Sequence, residues 1–121
     1  SSIGERVALS GRSFGGMNTM AAYVSHQEDF AVYAPIVPVS DAVSFVTREL
    51  GWWAWDDFGF RRDSRGRIVH SPLSMRLVED WNPIAGLSRV REPKPLMAFS
   101  GEFDSRVGPD QTPRFIRPLL E

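Results

Sequence analysis

One serine near the start of the chain is flanked by glycines and lies between a strand-like segment and a helical one. The stretch VALSGRSFGGM runs from Val7 to Met17, and Gly11, Ser13 and Gly15 within it fit the pattern G-x-S-x-G. This pattern is typical of a sharp turn from strand to helix that lifts the serine hydroxyl out of the edge of a sheet. Glycines favour such a turn because larger side chains two residues either side of the serine would collide.

The helix that begins directly after Ser13 could stabilise negative charge next to the serine hydroxyl. Its N-terminal dipole and the Phe14 amide N–H would both point to the place where an oxyanion forms during attack on a carbonyl. Ser13 is therefore a candidate nucleophile, with the Phe14 amide as an oxyanion donor. The alternative is a glycine-rich turn that binds a phosphate or no ligand.

Apolar, strand-like segments alternate with helical segments along the rest of the chain. Buried strands are predicted at 6–9, 30–39 and 96–100, and helices at 14–25, 40–50 and 110–121. Between the second and third strands lies an irregular, aromatic and turn-rich insert that includes one or two helical turns. This alternation predicts an α/β fold with a mostly parallel sheet, flanking helices and a helical, aromatic insert.

Two polar residues, Ser13 and Asp104, come soon after predicted strands. In parallel sheets the reacting groups gather at the carboxyl ends of the strands. Ser13 follows the first strand and Asp104 the third, so we expect both at one edge of the sheet, close enough for a single imidazole to bridge them. Taken alone, Asp104 could instead be a residue that only shapes a turn.

Composition excludes several classes of function. Hydrophobic residues make up 42% and charged residues 24% of the 121 residues, which is ordinary for one globular domain. The net charge of −1 offers no electrostatic footprint for nucleic acid, and no apolar run approaches the ~20 residues that cross a bilayer. Because cysteine is absent, disulfides, thiolate nucleophiles and cysteine-bound metals are excluded. We expect no cofactor and no metal.

Two separated motifs resemble the peptidase domain of the prolyl oligopeptidase family of serine hydrolases, which has the α/β-hydrolase fold. GRSFGG at 11–16 resembles the family's nucleophile turn G-x-S-x-G-G, and GEFDSRVGP at 101–109 resembles its acid loop G-x-x-D-x-R-V-x-P. They stand in the family's order and at about the family's distance, with further similarity between them in APIVPVSD, SPLS and NPIAGLSRVREPKPL. The resemblance therefore spans nearly the whole chain.

The resemblance implies a role for each matching residue. Ser13 would be the nucleophile, Asp104 the acid that orients a histidine, and the Phe14 amide one oxyanion donor. Arg106 matches an arginine that bonds a substrate carbonyl in prolyl-specific members, and Val107 matches a residue of the primary specificity pocket.

The aromatic segment GWWAWDDFG at 51–59 is similar to the one from which prolyl-specific members draw a tryptophan to stack on the substrate proline. Trp55 is the best match, although its spacing to Phe58 is one residue short of that pattern. The alternative is that the tryptophans pack the insert against the sheet, as buried aromatic residues commonly do. The basic run RRDSRGR at 61–67 is interpreted as an exposed turn rather than a patch that binds carboxylates.

No histidine stands where this fold requires the catalytic one. In α/β-hydrolases the triad runs serine, acid, histidine along the chain, whereas His26 and His70 both precede Asp104. His26 lies at the end of the predicted first helix, where an imidazolium is favourable against the helix dipole. We therefore expect residues 1–121 to be one part of a larger hydrolase domain, with the upstream strands and the histidine-bearing part outside it.

The sequence thus predicts a serine hydrolase that transfers an acyl group through Ser13 and acts on a peptide or a small ester. Oligopeptidase, dipeptidyl-peptidase-like or acylaminoacyl-peptidase-like activity is favoured, and Arg106 supports it. The alternatives are a carboxylesterase or dienelactone-hydrolase-like enzyme, an inert fragment, or a non-enzymatic α/β-hydrolase module.

The first predicted strand has an open, apolar edge. Strands that are flanked on one side only present unpaired backbone groups to other chains. We therefore expect the isolated chain to self-associate, or to bind a complementing chain, through this edge.

Overall fold

The computed structural model describes residues 6–46, 59–102, 104 and 106–121. The elements are β1 (Ala8–Arg12), α1 (Phe14–Ser25), β2 (Val32–Ile36), α2 (Ala42–Ser44), β3 (Phe60–Arg62), β4 (Ile68–His70), α3 (Pro72–Asp80), a 3-10 helix (Pro83–Arg89) and α4 (Gln111–Leu120). The helices predicted at 14–25 and 110–121 are confirmed as α1 and α4.

A small parallel sheet forms the centre of the fold. β1 pairs with β2 in parallel, with Arg12 opposite Ile36 at the end of the ladder. The extended segment 95–99 lies on the other side of β2 and is also parallel to it, with Phe99 opposite Ile36. Because all three segments run in the same direction, their carboxyl ends meet at one edge, called here the carboxyl edge. The predicted parallel sheet is confirmed.

Only one face of this sheet is covered by the described residues. Tyr33 of β2 is buried beneath α1 and α4, in a cluster that includes Tyr23 and Phe115. On the opposite face Met97 is 62% exposed and Phe99 is 49% exposed. The expectation of fully buried strands is therefore wrong for the described part of the chain, because side chains alternate between the two faces and one face lacks a covering layer there.

A second apolar cluster lies beyond the end of β2 and joins the insert to the segment before α4. Its buried members are Val39, Ala42, Phe45, Val46, Phe60, Val78 and Val107. Phe14 and Met17, in the first turn of α1, pack against it. This cluster therefore supports the elements that surround the carboxyl edge.

The insert contains a β-hairpin that the sequence did not predict. β3 and β4 pair in antiparallel fashion, with Phe60 opposite His70. The Asp63 carboxylate holds the connecting turn by accepting bonds from the Arg65 and Arg67 amides at 2.8 and 2.9 Å. These bonds, above all the one from the Arg67 amide, lower the pKa of Asp63. The run at 61–67 is an exposed turn, as predicted.

A buried polar junction connects the segment after β2 to α4. Gln111 Oε1 accepts bonds from the Ser40 N–H at 3.0 Å and the Asp41 N–H at 2.7 Å. The Asp41 carboxylate pairs with the Arg114 guanidinium and accepts a bond from the Asn82 amide at 3.1 Å. Burial of polar groups is tolerated here because they bond one another.

The two tyrosines predict how the chain responds to alkaline pH. Tyr23 and Tyr33 are almost fully buried, and this burial raises the pKa of both side chains above the usual value. As the pH rises, the unfolded chain therefore loses these two tyrosine protons at a lower pH than the folded chain does. The stability that is present below about pH 10 should fall as the pH rises through the folded-state pKa values. Lys94 is the only lysine, so few other side chains titrate in this range.

Chemical denaturation from about pH 8 to about pH 11, read together with tyrosinate absorbance, measures this effect. The substitution Tyr33→Phe removes one of the two titrating groups and should flatten the decline. A free energy of unfolding that stays constant across this interval would contradict the expectation.

Candidate active site

Ser13 stands at the junction of β1 and α1 in a strained backbone conformation. Its φ is +57° and its ψ is −113°, a combination that residues with a side chain seldom adopt. The Ser13 N–H donates to the Ile36 carbonyl at 2.9 Å, and the Ser13 carbonyl accepts from the Met17 N–H at 3.0 Å. Such strain costs about 1–3 kcal/mol and persists only where the surroundings enforce it. The predicted strand–turn–helix is present, with the serine at its bend.

The Ser13 hydroxyl does not cap the helix that follows it. A serine in this place usually has extended backbone angles and accepts a bond from an N–H of the first helical turn. Ser13 has a positive φ instead and makes no such cap bond. The hydroxyl is therefore left for another partner, which is what a nucleophile requires.

Two glycines allow the turn to close. A Cβ on Gly11 would lie 2.1 Å from the Gly15 carbonyl oxygen, and one on Gly16 would lie 2.9 Å from Pro38 Cα. A Cβ on Gly15 would meet nothing within 4 Å. The expectation that space excludes a side chain holds for Gly11 and is wrong for Gly15. The second close approach falls on Gly16 instead, because the first turn of α1 packs directly on the segment after β2.

The Phe14 amide lies at the N-terminus of α1, where the helix dipole favours negative charge. The first turn of α1 contains no acidic residue that would oppose an anion there. The Phe14 ring packs edge-on against Phe45, with 6.2 Å between the ring centroids. This contact anchors the start of the helix in the apolar cluster beneath the carboxyl edge.

Asp104 lies in the segment 100–110, called here the acid loop, and its carboxylate is held by the loop's own backbone. Asp104 Oδ1 accepts bonds from the Arg106 N–H at 2.8 Å and the Val107 N–H at 3.0 Å. The Asp104 N–H donates to the Gly101 carbonyl at 3.2 Å. Asp104 therefore does shape a turn. Its second oxygen, Oδ2, has no hydrogen-bond partner within the described ranges of the chain, so the carboxylate retains an acceptor for another group.

The sheet brings Ser13 and Asp104 to the same edge. Arg12, Ile36 and Phe99 lie side by side at the ends of the three parallel segments. With neighbouring strands ~4.8 Å apart, Arg12 and Phe99 are separated by about 10 Å. Ser13 is the next residue after Arg12, and the acid loop begins directly after Phe99. The predicted nucleophile and the predicted acid thus emerge at the carboxyl edge on either side of β2.

The remaining predicted site residues differ in their surroundings. Arg106 is exposed in the acid loop, whereas Val107 is buried and packs in the cluster with Val39 and Phe45. Trp55 lies outside the described residues.

His26 does not complete the site. His26 follows the last residue of α1, and its imidazole lies 3.3 Å from the Asp29 carboxylate. Because the 12 residues of α1 separate them, His26 is about 20 Å from Ser13 along the helix. His70 belongs to β4. No group of three metal-binding side chains occurs within residues 6–46 and 59–102 or the described residues after them.

Sequence reasoning missed two features near the carboxyl edge. Val37 has a φ of +42°, which is rare for a β-branched residue, and its N–H donates to the Phe99 carbonyl at 2.7 Å. Gln111 joins the acid loop to the segment after β2. No sequence signal marks either residue, since a valine between apolar neighbours predicts a strand and a glutamine predicts little.

Comparisons with known proteins agree with this description. The sequence model of the prolyl oligopeptidase family matches residues 3–120. Dipeptidyl peptidase family member 6 of Caenorhabditis elegans is 28% identical over 116 residues, which cover 93% of this chain and 15% of that protein.

No helix in the described part of the chain combines the length and the apolar character needed to cross a membrane.

Two solved structures share the fold. A structure from a study of two prolyl endopeptidases superposes with a TM-score of 0.77 at 21% identity, covering 98% of this chain and 16% of that one. The crystal structure of puromycin hydrolase superposes with a TM-score of 0.74 at 22% identity, covering 95% of this chain and 16% of that one. The chain thus spans about a sixth of the length of these relatives. The likeness confirms the predicted partial α/β-hydrolase fold.

The contacts of the glycines predict opposite outcomes for substitutions at Gly11 and Gly15. Gly11→Ala forces a backbone clash and should destabilise the fold by about 2 kcal/mol or more, as overpacking does. Gly15→Ala meets open space inside a helix and should be neutral or stabilising by about 0.5–1 kcal/mol.

Thermal and chemical denaturation of the two variants beside the parent chain checks this pair. Equal destabilisation by both substitutions would mean that the turn does not have the geometry described above.

Proposed function

Because the chain belongs to the prolyl oligopeptidase family, we propose that it carries the nucleophile and the acid of a serine peptidase. Ser13 Oγ attacks the carbonyl carbon of a peptide bond, and its proton passes to a histidine imidazole. The imidazolium then protonates the leaving amine as the C–N bond breaks, which leaves an acyl-enzyme on Ser13. Water, activated by the same imidazole, hydrolyses this ester.

One observation carries the proposal above the rest. Ser13 is held at a positive φ between β1 and α1, without a helix-capping bond, at the same sheet edge as Asp104. A serine that only shaped a turn would satisfy its hydroxyl locally, and a strained conformation would then have no benefit.

The Phe14 amide is the proposed oxyanion donor. It lies next to the reacting hydroxyl and at the positive end of α1, so the negative charge that develops on the carbonyl oxygen would meet both. A preorganised donor of this kind is worth about 10²–10³ in kcat.

Asp104 is proposed to orient the imidazole. Oδ1 is fixed by two backbone amides, which sets the direction of the carboxylate, and Oδ2 accepts the Nδ1–H of the histidine. Since His26 and His70 both precede Asp104, against the order serine, acid, histidine of this fold, we place the histidine in a part of the protein outside residues 1–121.

The proposed substrate is a peptide. Arg106 is exposed beside the acid and can donate to a substrate carbonyl, while the buried Val107 anchors this part of the loop in the apolar cluster. Trp55 is the proposed contact for the ring of a substrate proline. The names of the relatives, a dipeptidyl peptidase and prolyl endopeptidases, support cleavage of peptides, as do the two motifs that carry the family resemblance.

The nucleophile can be tested on the full-length protein that contains this chain. A fluorophosphonate probe should label one serine, and Ser13→Ala should abolish the labelling and lower kcat for peptide anilides by at least about 10³-fold. Ser10→Ala is the matched control, because Ser10 is an exposed serine three residues away that bonds the Ala34 carbonyl. Its activity should stay within about twofold of the parent. Labelling that survives in Ser13→Ala would overturn the assignment, and cleavage of esters without peptides would favour an esterase.

The acid can be tested by Asp104→Asn in the same protein. Loss of the carboxylate should lower kcat by about 10⁴-fold with little change in KM, since the imidazole loses its correct tautomer. The control is Asp110→Asn, because Asp110 is an exposed aspartate in the same loop. This variant should retain activity. If both variants behaved alike, Asp104 would be a turn residue only.

A further inference from the structure

Gln111 lies between the acid loop and the segment that supports Ser13. We propose that it is a positioning residue, which fixes the distance between Ser13 and Asp104; this inference rests on the proposed function. Gln111 acts through the backbone that it holds.

The contacts of Gln111 are buried and numerous. The residue is 1% exposed, and its Oε1 accepts the Ser40 N–H at 3.0 Å and the Asp41 N–H at 2.7 Å. The Ser40 hydroxyl donates to the Gln111 carbonyl. One side chain thus binds two successive amides of the segment that follows β2, which fixes both its place and its orientation.

That segment leads directly to the nucleophile. Ile36, the last residue of β2, accepts the Ser13 N–H at 2.9 Å. Only residues 37–39 separate Ile36 from Ser40, and Pro38 and Val39 among them are buried. A displacement at Ser40 would therefore reach the carbonyl that holds the strained turn at Ser13.

The other end of Gln111 leads to the acid. The acid loop has two ends, and both are tied to β2 or its continuation. At its start the Phe99 N–H donates to the Pro35 carbonyl at 3.0 Å, and the Phe99 carbonyl accepts the Val37 N–H at 2.7 Å. At its finish, Gln111 makes the bonds described above. The hydrogen bonds of Asp104 lie within the loop, so they set the shape of the loop and not its location.

Loss of the Gln111 side chain would release one end of the acid loop. The Asp41–Arg114 ion pair would still join α4 to the same segment, so the fold should survive while the loop gains freedom. A shift of about 1 Å in a catalytic group can cost 10²-fold in rate. The carboxylate would then support the imidazolium less well, and the pKa of the catalytic histidine would fall.

The test compares Gln111→Met with Thr112→Val in the full-length protein. Methionine keeps the length and burial of the side chain and removes its hydrogen bonds. Thr112 is the next residue, is 9% exposed and has a hydroxyl without a partner in the described structure, so valine removes no bond. Gln111→Met should lower kcat by about 10–100-fold with KM within about threefold, and should move the acidic limb of the kcat/KM–pH profile to lower pH. Thr112→Val should change neither.

The outcomes separate this inference from the proposed function. If Ser13→Ala stays active, the proposed function has failed, whatever Gln111→Met does. If Ser13→Ala is inactive and Gln111→Met lowers the melting temperature but leaves kcat and the acidic limb unchanged, Gln111 is structural only and the inference is wrong.

A milder variant covers the case in which Gln111→Met does not fold. Ser40→Ala removes the hydroxyl bonds to the Gln111 carbonyl and to Oε1, and keeps both amide bonds to Oε1. It should lower kcat by about two- to fivefold and shift the acidic limb in the same direction. Parent-like kcat and pH profile in Ser40→Ala would then overturn the inference.

Discussion

The close packing of the first turn of α1 on the end of β2 is the constraint on which the site depends. Hydrogen alone fits at Gly11 and Gly16, since a Cβ at either would lie within 3 Å of backbone atoms. This approach brings the Ser13 N–H to the Ile36 carbonyl and holds the serine at a positive φ. Because interiors are close-packed, the conformation cannot relax without moving the helix or the strand.

The strain at Ser13 is matched by strain directly after the neighbouring strand. Val37 also has a positive φ, directly after the carbonyl that accepts the Ser13 amide. Together such residues cost about 2–6 kcal/mol, which the rest of the fold must offset. The apolar cluster around Phe45 includes Val39, and the polar junction at Gln111 begins at Ser40, so both follow directly after Val37 and contribute stabilisation by their burial.

Part of the fold and of the site could be predicted, and the limits have physical reasons. The bounds of α1 follow from the glycine turn before it and the apolar spacing within it, which are local signals. The hairpin at β3 and β4 was missed because its strands are three residues long, which is too short to show an alternation of apolar and polar residues. The exposed face of the sheet was missed because a run of apolar residues does not reveal whether a layer covers it.

The sequence by itself determined the bend at Ser13, the alternation of strands with helices and the turn around Asp104, because glycine, apolar spacing and aspartate act on nearby backbone. Tertiary structure alone decided that Gly16 rather than Gly15 must lack a side chain, and that Gln111 bonds residues some 70 positions earlier in the chain. These features depend on distances between segments remote in sequence, and only packing of the whole chain sets such distances.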